Sequence, residues 1–106
     1  MFGWGISVPA MAAADVAQHM EQGQPLWILD VRTVSEFRTG HIPGAHGIPL
    51  GDLSKRLGEI PRELPIVTVC HSGARSSMAA KQLKKLGYDV YNMTGGMMRW
   101  KGRTVR

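Results

Sequence analysis

Two short runs of apolar residues stand out along the chain, Leu26 to Leu29 and Ile66 to Val69. Neither run alternates between apolar and polar positions, which is typical of strands that are covered on both faces of a parallel sheet. The second run is rich in β-branched residues, which favour strands. We therefore predict two buried central strands, of which the second leads directly into Cys70.

Two other segments repeat their apolar residues at helical spacing. The first predicts a helix from about residue 13 to 22, ended by Gly23 in the left-handed conformation. The second predicts a helix from about residue 76 to 86, capped by Gly87, with lysines on its opposite face. The apolar positions that define the two buried faces are Ala13, Val16, Ala17 and Met20, then Ala79, Ala80, Leu83 and Leu86.

Shorter elements connect these four. Strands that alternate with helices predict an α/β fold, in which a parallel sheet carries helices on both faces. Glycine and proline mark the turns between the elements, and Gly95-Gly96 leads into the last of them. The pattern predicts a helical segment at 36–37, a strand at 46–48, a small amphipathic helix at 50–57, a strand at 89–93 and a final helix carrying Met97, Met98 and Trp100.

The composition is that of one small globular domain. The 106 residues, 43% hydrophobic and 20% charged, fit a single domain. Residues 1–10 are interpreted as a loose N-terminal extension, whose Phe2 and Trp4 are available for docking, and residues 11–106 as the domain. No apolar run approaches the roughly 20 residues that span a bilayer. The apolar start also lacks the basic head of a signal peptide, so we expect a cytoplasmic protein with no membrane partner.

The charge and the cysteine count limit the chemistry. The net charge of +5 comes from scattered basic residues, which favours steering of a small anionic substrate. There is no basic stripe with interleaved aromatic residues, so no nucleic-acid partner is expected. Cys70 is the single cysteine, which excludes a disulfide within the chain and fits a reducing compartment. His19 and His46 have no ligand-like neighbours in sequence, and we expect neither a metal nor another cofactor.

The segment from Cys70 to Ser76 carries the strongest functional signal. It lies between a predicted buried strand and a predicted helix, at the carboxyl end of a strand, where open α/β sheets bind ligands. Backbone N–H groups of such a loop and the N-terminus of the next helix favour negative charge, so they lower the pKa of a thiol. Gly73 permits a tight curl and Arg75 adds a positive charge. The alternative is an inert cysteine buried at the end of a core strand.

Cys-His-Ser-Gly-Ala-Arg-Ser, at residues 70–76, resembles the active-site loop of rhodanese domains. The resemblance extends over roughly residues 13–102, because several other segments are similar to the family's signatures and occur in the same order. These segments are Leu29-Asp30-Val31-Arg32, Glu36-Phe37, Gly40-His41-Ile42-Pro43-Gly44-Ala45, Ile48-Pro49-Leu50 and, at the end, Thr94-Gly95-Gly96 with Trp100.

The resemblance implies the rhodanese fold, a five-stranded, mostly parallel sheet flanked by helices on both faces. It implies that Cys70 is a nucleophile that takes a sulfur atom from a small anionic donor such as thiosulfate. The sulfur would then pass from the Cys70 persulfide to cyanide or to a thiol, which can belong to a partner protein. The residues implied to cradle the persulfide are His71, Ser72, Gly73, Ala74 and Arg75.

Other polar residues are expected to support this loop. Asp30 either accepts a hydrogen bond that orients the loop or caps the end of its strand, and both interpretations stay open. Arg32 and Ser76 are further candidates for a supporting role. Arg32 and Glu36 are expected to form a structural pair, and His41 to be a structural hydrogen-bond partner in its turn.

Two alternatives to a sulfurtransferase remain. One is a persulfide carrier that uses Cys70 but turns over little unless it is docked on a partner. The other is a relative of the cell-cycle phosphatases and arsenate reductases, which place five residues between their cysteine and arginine. Here four residues separate Cys70 from Arg75. A shorter loop forms a tighter ring, better sized for a sulfur atom than for a tetrahedral oxyanion.

Overall fold

The computed structural model describes residues 6–106, so Phe2 and Trp4 lie outside the described residues. In this part of the chain all strand pairs are parallel and form one sheet in the order β1-β5-β4-β2-β3. The five-stranded α/β fold expected from the sequence is therefore confirmed. The strands are β1 (Ala10–Ala12), β2 (Trp27–Asp30), β3 (His46–Gly47), β4 (Ile66–Val69) and β5 (Val90–Thr94).

The two central apolar strands divide their side chains between two core layers. Leu29 and Ile66 lie in one layer, which α3 (Ala74–Lys85) covers, while Ile28 and Val67 lie in the other, which α1 (Ala13–Glu21) covers. All four residues of β4 are buried, as the absence of alternation predicted. The sheet therefore carries helices on both faces and holds β4, the strand before Cys70, at its centre.

Three local expectations need correction. The leucine spacing predicted one helix over 50–57, but the chain forms two 3-10 helices, Leu50–Lys55 and Leu57–Glu59, separated by Arg56. Gly51 and Gly58 disfavour a continuous α-helix there. Leu86 was placed on the buried face of its helix, yet it is 41% exposed because α3 ends at Lys85 and the chain then turns at Gly87. The final helix, Gly96–Arg99, is also a 3-10 helix, and Trp100 follows it.

The edge strand β1 was not predicted. Its three residues contain two alanines and show no buried face, so nothing in the local pattern marks a strand. The pairing comes from β5, more than eighty residues later, with Ala10 opposite Asn92. The preceding residues also contact the domain, because Val8 packs on the core and the carbonyl of Pro9 accepts from the amide of Asn92. Within residues 6–106, no helix is long and apolar enough to cross a membrane.

Candidate active site

Cys70 follows the last residue of β4 and opens the loop that leads into α3. The residue is 1% exposed, while His71 and Ser72, which come next, are exposed. Cys70 is therefore recessed below the exposed residues that follow it, and we call this position the recess and His71 and Ser72 its rim. This is the carboxyl end of the central strand, the place where parallel α/β sheets bind ligands.

The loop directs donors at the sulfur. The backbone N–H of Gly73 donates to Cys70 Sγ at 3.1 Å. Gly73 has a φ of 108°, in the left-handed region, which lets the loop close tightly before α3 begins. Burial raises the pKa of the Cys70 thiol, but the donor groups around it, the Ser76 hydroxyl and the amides of Ser76, Gly73 and Ser72, outweigh the burial and hold the pKa below its ordinary value.

Ser76 is the side chain best placed to act on the sulfur. It is fully buried, and its hydroxyl has no hydrogen-bond partner within residues 6–106. An unpaired buried hydroxyl is unfavourable, and Ser76 is among the groups that lower the pKa of the Cys70 thiol. Ser76 therefore stays a candidate for a supporting role, in which its hydroxyl favours the thiolate.

The positive charge of Arg75 is compensated by a carboxylate. Its guanidinium donates to both carboxylate oxygens of Glu36, at 2.7 and 2.9 Å. The same carboxylate accepts from the backbone N–H of Thr33 and so completes a capping box at the start of α2 (Val34–Thr39). Hydrogen bonds from Arg75 and Thr33 lower the pKa of Glu36 to about 2. The expected pair between Arg32 and Glu36 is wrong, because Glu36 binds the cysteine loop instead.

Arg32 pairs with Asp30. The backbone N–H and the guanidinium of Arg32 donate to the Asp30 carboxylate, with a shortest distance of 2.8 Å, and both residues are buried. Arg32 also donates to the carbonyl of Gly40 at 2.8 Å. Within residues 6–106, neither side chain hydrogen-bonds to the cysteine loop. Of the two interpretations left open for Asp30, the structure therefore agrees with a cap at the end of its strand.

The loop is held from behind by two strands and a turn. Thr68 Oγ1 donates to the carbonyl of Ser76 at 2.9 Å, and Asn92 Nδ2 donates to the carbonyl of Gly73 at 3.3 Å. The amides of Met97 and Met98 donate to the carbonyls of Cys70 and His71, at 2.8 and 3.1 Å. The sequence analysis assigned no role to Thr68 or Asn92. The one available signal was a polar residue, Thr68, inside an otherwise apolar strand.

The histidines lie outside the recess, except for His71 at its rim. His41 Nδ1 lies 2.8 Å from the carbonyl of Phe37, and the two rings stack at 3.7 Å between centroids. His46 stacks on Trp27 at 4.1 Å. In the described part of the chain, no group of three histidine, cysteine or acidic residues is close enough to hold a metal ion.

These observations describe one chemical capability. A recessed sulfur that accepts a backbone N–H and has a lowered thiol pKa is favoured as the thiolate, which is the nucleophilic form. The same donors can stabilise the negative charge of a second sulfur atom attached to it. Only four residues separate Cys70 from Arg75, so the loop that carries these donors is short.

A search against family models matches the rhodanese-like domain over residues 12–103 of the chain. The "Putative sulfur carrier protein YrkF" of Bacillus subtilis is 41% identical over 99 residues, which cover 92% of this chain and 54% of that protein. The "Thiosulfate sulfurtransferase GlpE" of Shewanella oneidensis is 34% identical over 82 residues, which cover 76% of this chain and 81% of that protein. The chain thus spans little more than half the length of YrkF and most of the length of GlpE.

Solved structures show the same architecture. The crystal structure of a rhodanese-like domain protein from Staphylococcus aureus superposes with a TM-score of 0.84 at 29% identity, covering 91% of this chain and 93% of that one. The parallel sheet therefore belongs to a fold that this chain shares with an experimentally determined domain.

Proposed function

The chain belongs to the rhodanese-like domain family, and on that premise we propose that it transfers sulfane sulfur through a persulfide on Cys70. Relatives named as sulfurtransferases support sulfur transfer at the level of the family. The observation that carries the finer proposal is the recessed Cys70 sulfur, which accepts the Gly73 amide at 3.1 Å and has a lowered thiol pKa.

Loading begins with attack by the Cys70 thiolate on the outer sulfur of a donor such as thiosulfate. A bond forms between Sγ and that sulfur, the sulfur–sulfur bond of thiosulfate breaks, and sulfite leaves with the bonding electron pair. The negative charge then resides on the outer sulfur of the Cys70 persulfide. We assign the binding of the donor and of the persulfide to residues 71–75, and the support for this is the Gly73 amide, which donates to Cys70 Sγ.

Discharge requires a nucleophile from outside the chain, because Cys70 is the only cysteine. The persulfide first takes a proton from solvent. An acceptor thiolate then attacks its outer sulfur, the new sulfur–sulfur bond forms on the acceptor, the proton stays on the transferred sulfur, and Cys70 leaves as the thiolate. Cyanide attacks the same sulfur and leaves as thiocyanate, and here the proton returns to solvent. The low pKa of Cys70 favours this step, since a weakly basic thiolate is a good leaving group.

The test is mass spectrometry of the purified chain after incubation with thiosulfate. We expect the mass to rise by one sulfur atom, and addition of cyanide to remove it. The Cys70→Ser variant should fold, as judged by circular dichroism, and should gain no sulfur. Sulfur transfer by a folded Cys70→Ser variant would refute the proposal.

A carrier is the second candidate, because one of the similar proteins is named a sulfur carrier. The two functions share the persulfide and differ in turnover. Repeated conversion of thiosulfate and cyanide by the isolated chain would identify a sulfurtransferase. A single loading that discharges rapidly only to a protein thiol would identify a carrier.

A further inference from the structure

A groove runs beside the cysteine loop, on the side of α1 and of the segment that follows β5. One cavity of about 730 Å³ has a floor of small residues, Ala12, Ala13, Ala14 and Ala17. A second cavity of about 380 Å³ shares Ala17, Glu21 and Gly102 with the first and continues to Pro43 and Trp100. The shared residues join the two cavities into one elongated groove, and this shape favours a polypeptide segment as the occupant.

The edge of the groove is positively charged. Arg99, Lys101 and Arg103 line it and are exposed, and the one acidic residue along it is Glu21. None of the three basic side chains takes part in an ion pair within residues 6–106. An acidic occupant would therefore meet cations that are not already compensated, and attraction of this kind speeds encounter and fixes orientation.

The groove and the cysteine loop share a wall. Gly95 lines the groove, and a Cβ built on Gly73 would lie 3.5 Å from the amide nitrogen of Gly95. The next residues turn back to the loop, where the amide of Met98 donates to the carbonyl of His71 at 3.1 Å. Met98 is itself 65% exposed beside the rim of the recess. A chain that occupies the groove is thus held next to the entrance to Cys70.

We propose that this groove binds an acidic segment of the protein that accepts the sulfur, and so brings the acceptor's cysteine to the Cys70 persulfide. The inference rests on the proposed function and adds the acceptor's chemistry to it. Docking would also help the acceptor thiol to reach the sulfur. Cys70 is 1% exposed, so a thiol must enter between the residues of the rim. Cyanide is small enough to enter without using the groove.

The test compares discharge of thiosulfate-loaded protein to three probes. Two are synthetic peptides of equal length that end in cysteine, one rich in glutamate and the other with glutamine at the same positions, and the third is cyanide. At low ionic strength we expect the glutamate peptide to remove the sulfur about tenfold faster than the glutamine peptide. The difference should disappear near 1 M salt, where charges are screened within about 3 Å.

A matched pair of triple variants locates the effect. Arg99→Gln/Lys101→Gln/Arg103→Gln should abolish the preference for the glutamate peptide and leave discharge to cyanide intact. Lys81→Gln/Lys84→Gln/Lys85→Gln removes the same charge from the exposed lysines of α3 and should keep the preference. Equal rates for the two peptides on the unaltered protein, or an equal loss in the α3 variant, would overturn the groove proposal. A chain that gains no sulfur from thiosulfate would instead contradict the proposed function.

Discussion

Arg75 is bound by Glu36, which lies 39 residues earlier in the chain, through two hydrogen bonds of 2.7 and 2.9 Å. The pair joins the cysteine loop to the start of α2 and compensates the charge that Arg75 would otherwise present at the recess. Attraction of an anion to Cys70 must then come mainly from the N–H groups of the loop. The charge of Arg75 nonetheless interacts favourably with the Cys70 thiolate, which agrees with the role expected from the sequence.

The first prediction concerns this pair and pH. The pKa of Glu36 falls to about 2 in the folded protein from an ordinary value of 4.5, so the pair stabilises the fold fully above pH 4.5. The contribution is lost as the pH falls from 4.5 towards 2. Because Glu36 and Arg75 are 35% and 36% exposed, solvent screening limits the gain to about 1 kcal/mol. Denaturant unfolding of Glu36→Gln should show this loss at pH 7 and none near pH 2.

Glu59→Gln is the matched control, because Glu59 forms an exposed pair with Arg56 and has no contact with the cysteine loop. It should cost less stability than Glu36→Gln at pH 7. An equal loss of unfolding free energy in both variants would mean that the link between Glu36 and the cysteine loop adds no stability.

The second prediction concerns the thiol. Ser76→Ala removes a hydroxyl that favours the Cys70 thiolate, so the pKa of Cys70 should rise and the alkylation rate at neutral pH should fall. The rate of reaction with iodoacetamide, measured against pH, gives the pH midpoint of the thiol titration. Ser77→Ala is the control, since Ser77 is not among the groups that lower the pKa of Cys70. An unchanged pH midpoint in Ser76→Ala would show that the hydroxyl does not stabilise the thiolate.

The third prediction concerns the turn behind the loop. A Cβ on Gly96 would clash with the backbone carbonyl oxygen of Cys70, and Gly96 has a φ of 57°. Gly96→Ala should therefore push the loop away and destabilise the fold by about 3 kcal/mol. Gly58→Ala is the control, because a Cβ there meets nothing within 4 Å. Urea unfolding distinguishes the two, and similar midpoints would contradict the close packing of this turn.

The fourth prediction separates structure from catalysis at Asp30 and Arg32. Arg32→Met leaves a buried carboxylate without its partner and should cost about 3–5 kcal/mol in urea unfolding. Asp30→Leu/Arg32→Met removes both charges and should recover most of that loss. The double variant should also keep the pH midpoint of Cys70 alkylation, because neither side chain bonds to the loop. A shifted midpoint would restore a supporting role in the chemistry.

The sequence predicted those parts of the fold that depend on local periodicity. The buried strands β2 and β4, the helices α1 and α3 and the position of Cys70 after β4 all follow from apolar spacing and turn residues. The partner of Glu36 did not follow, because pairing over 39 residues depends on how α2 and the cysteine loop meet in space. A local signal was nonetheless present, since Thr33 and Glu36 have the spacing of a capping box.

The supporting contacts of the loop were harder to predict for the same reason. Asn92 and Thr68 lie on neighbouring strands, and only the register of β4 against β5 places them opposite each other. The edge strand β1 likewise forms because it pairs with β5, and not because of its own residue pattern. In each case the residue types alone are ordinary, and the tertiary arrangement gives them their role.

The recessed position of Cys70 also prevents a disulfide from forming between two copies of the protein. A disulfide between two copies would require their sulfurs to approach to about 2.05 Å, yet each Cys70 is 1% exposed behind the residues of its own rim. Two sulfurs that are both recessed in this way cannot approach to bonding distance. Air oxidation of a concentrated sample should therefore leave no covalently linked dimers on a non-reducing gel, although the lowered pKa of the Cys70 thiol favours the reactive thiolate. The buried position of Cys70 thus admits a narrow acceptor thiol and prevents the Cys70 of a second copy from reaching it.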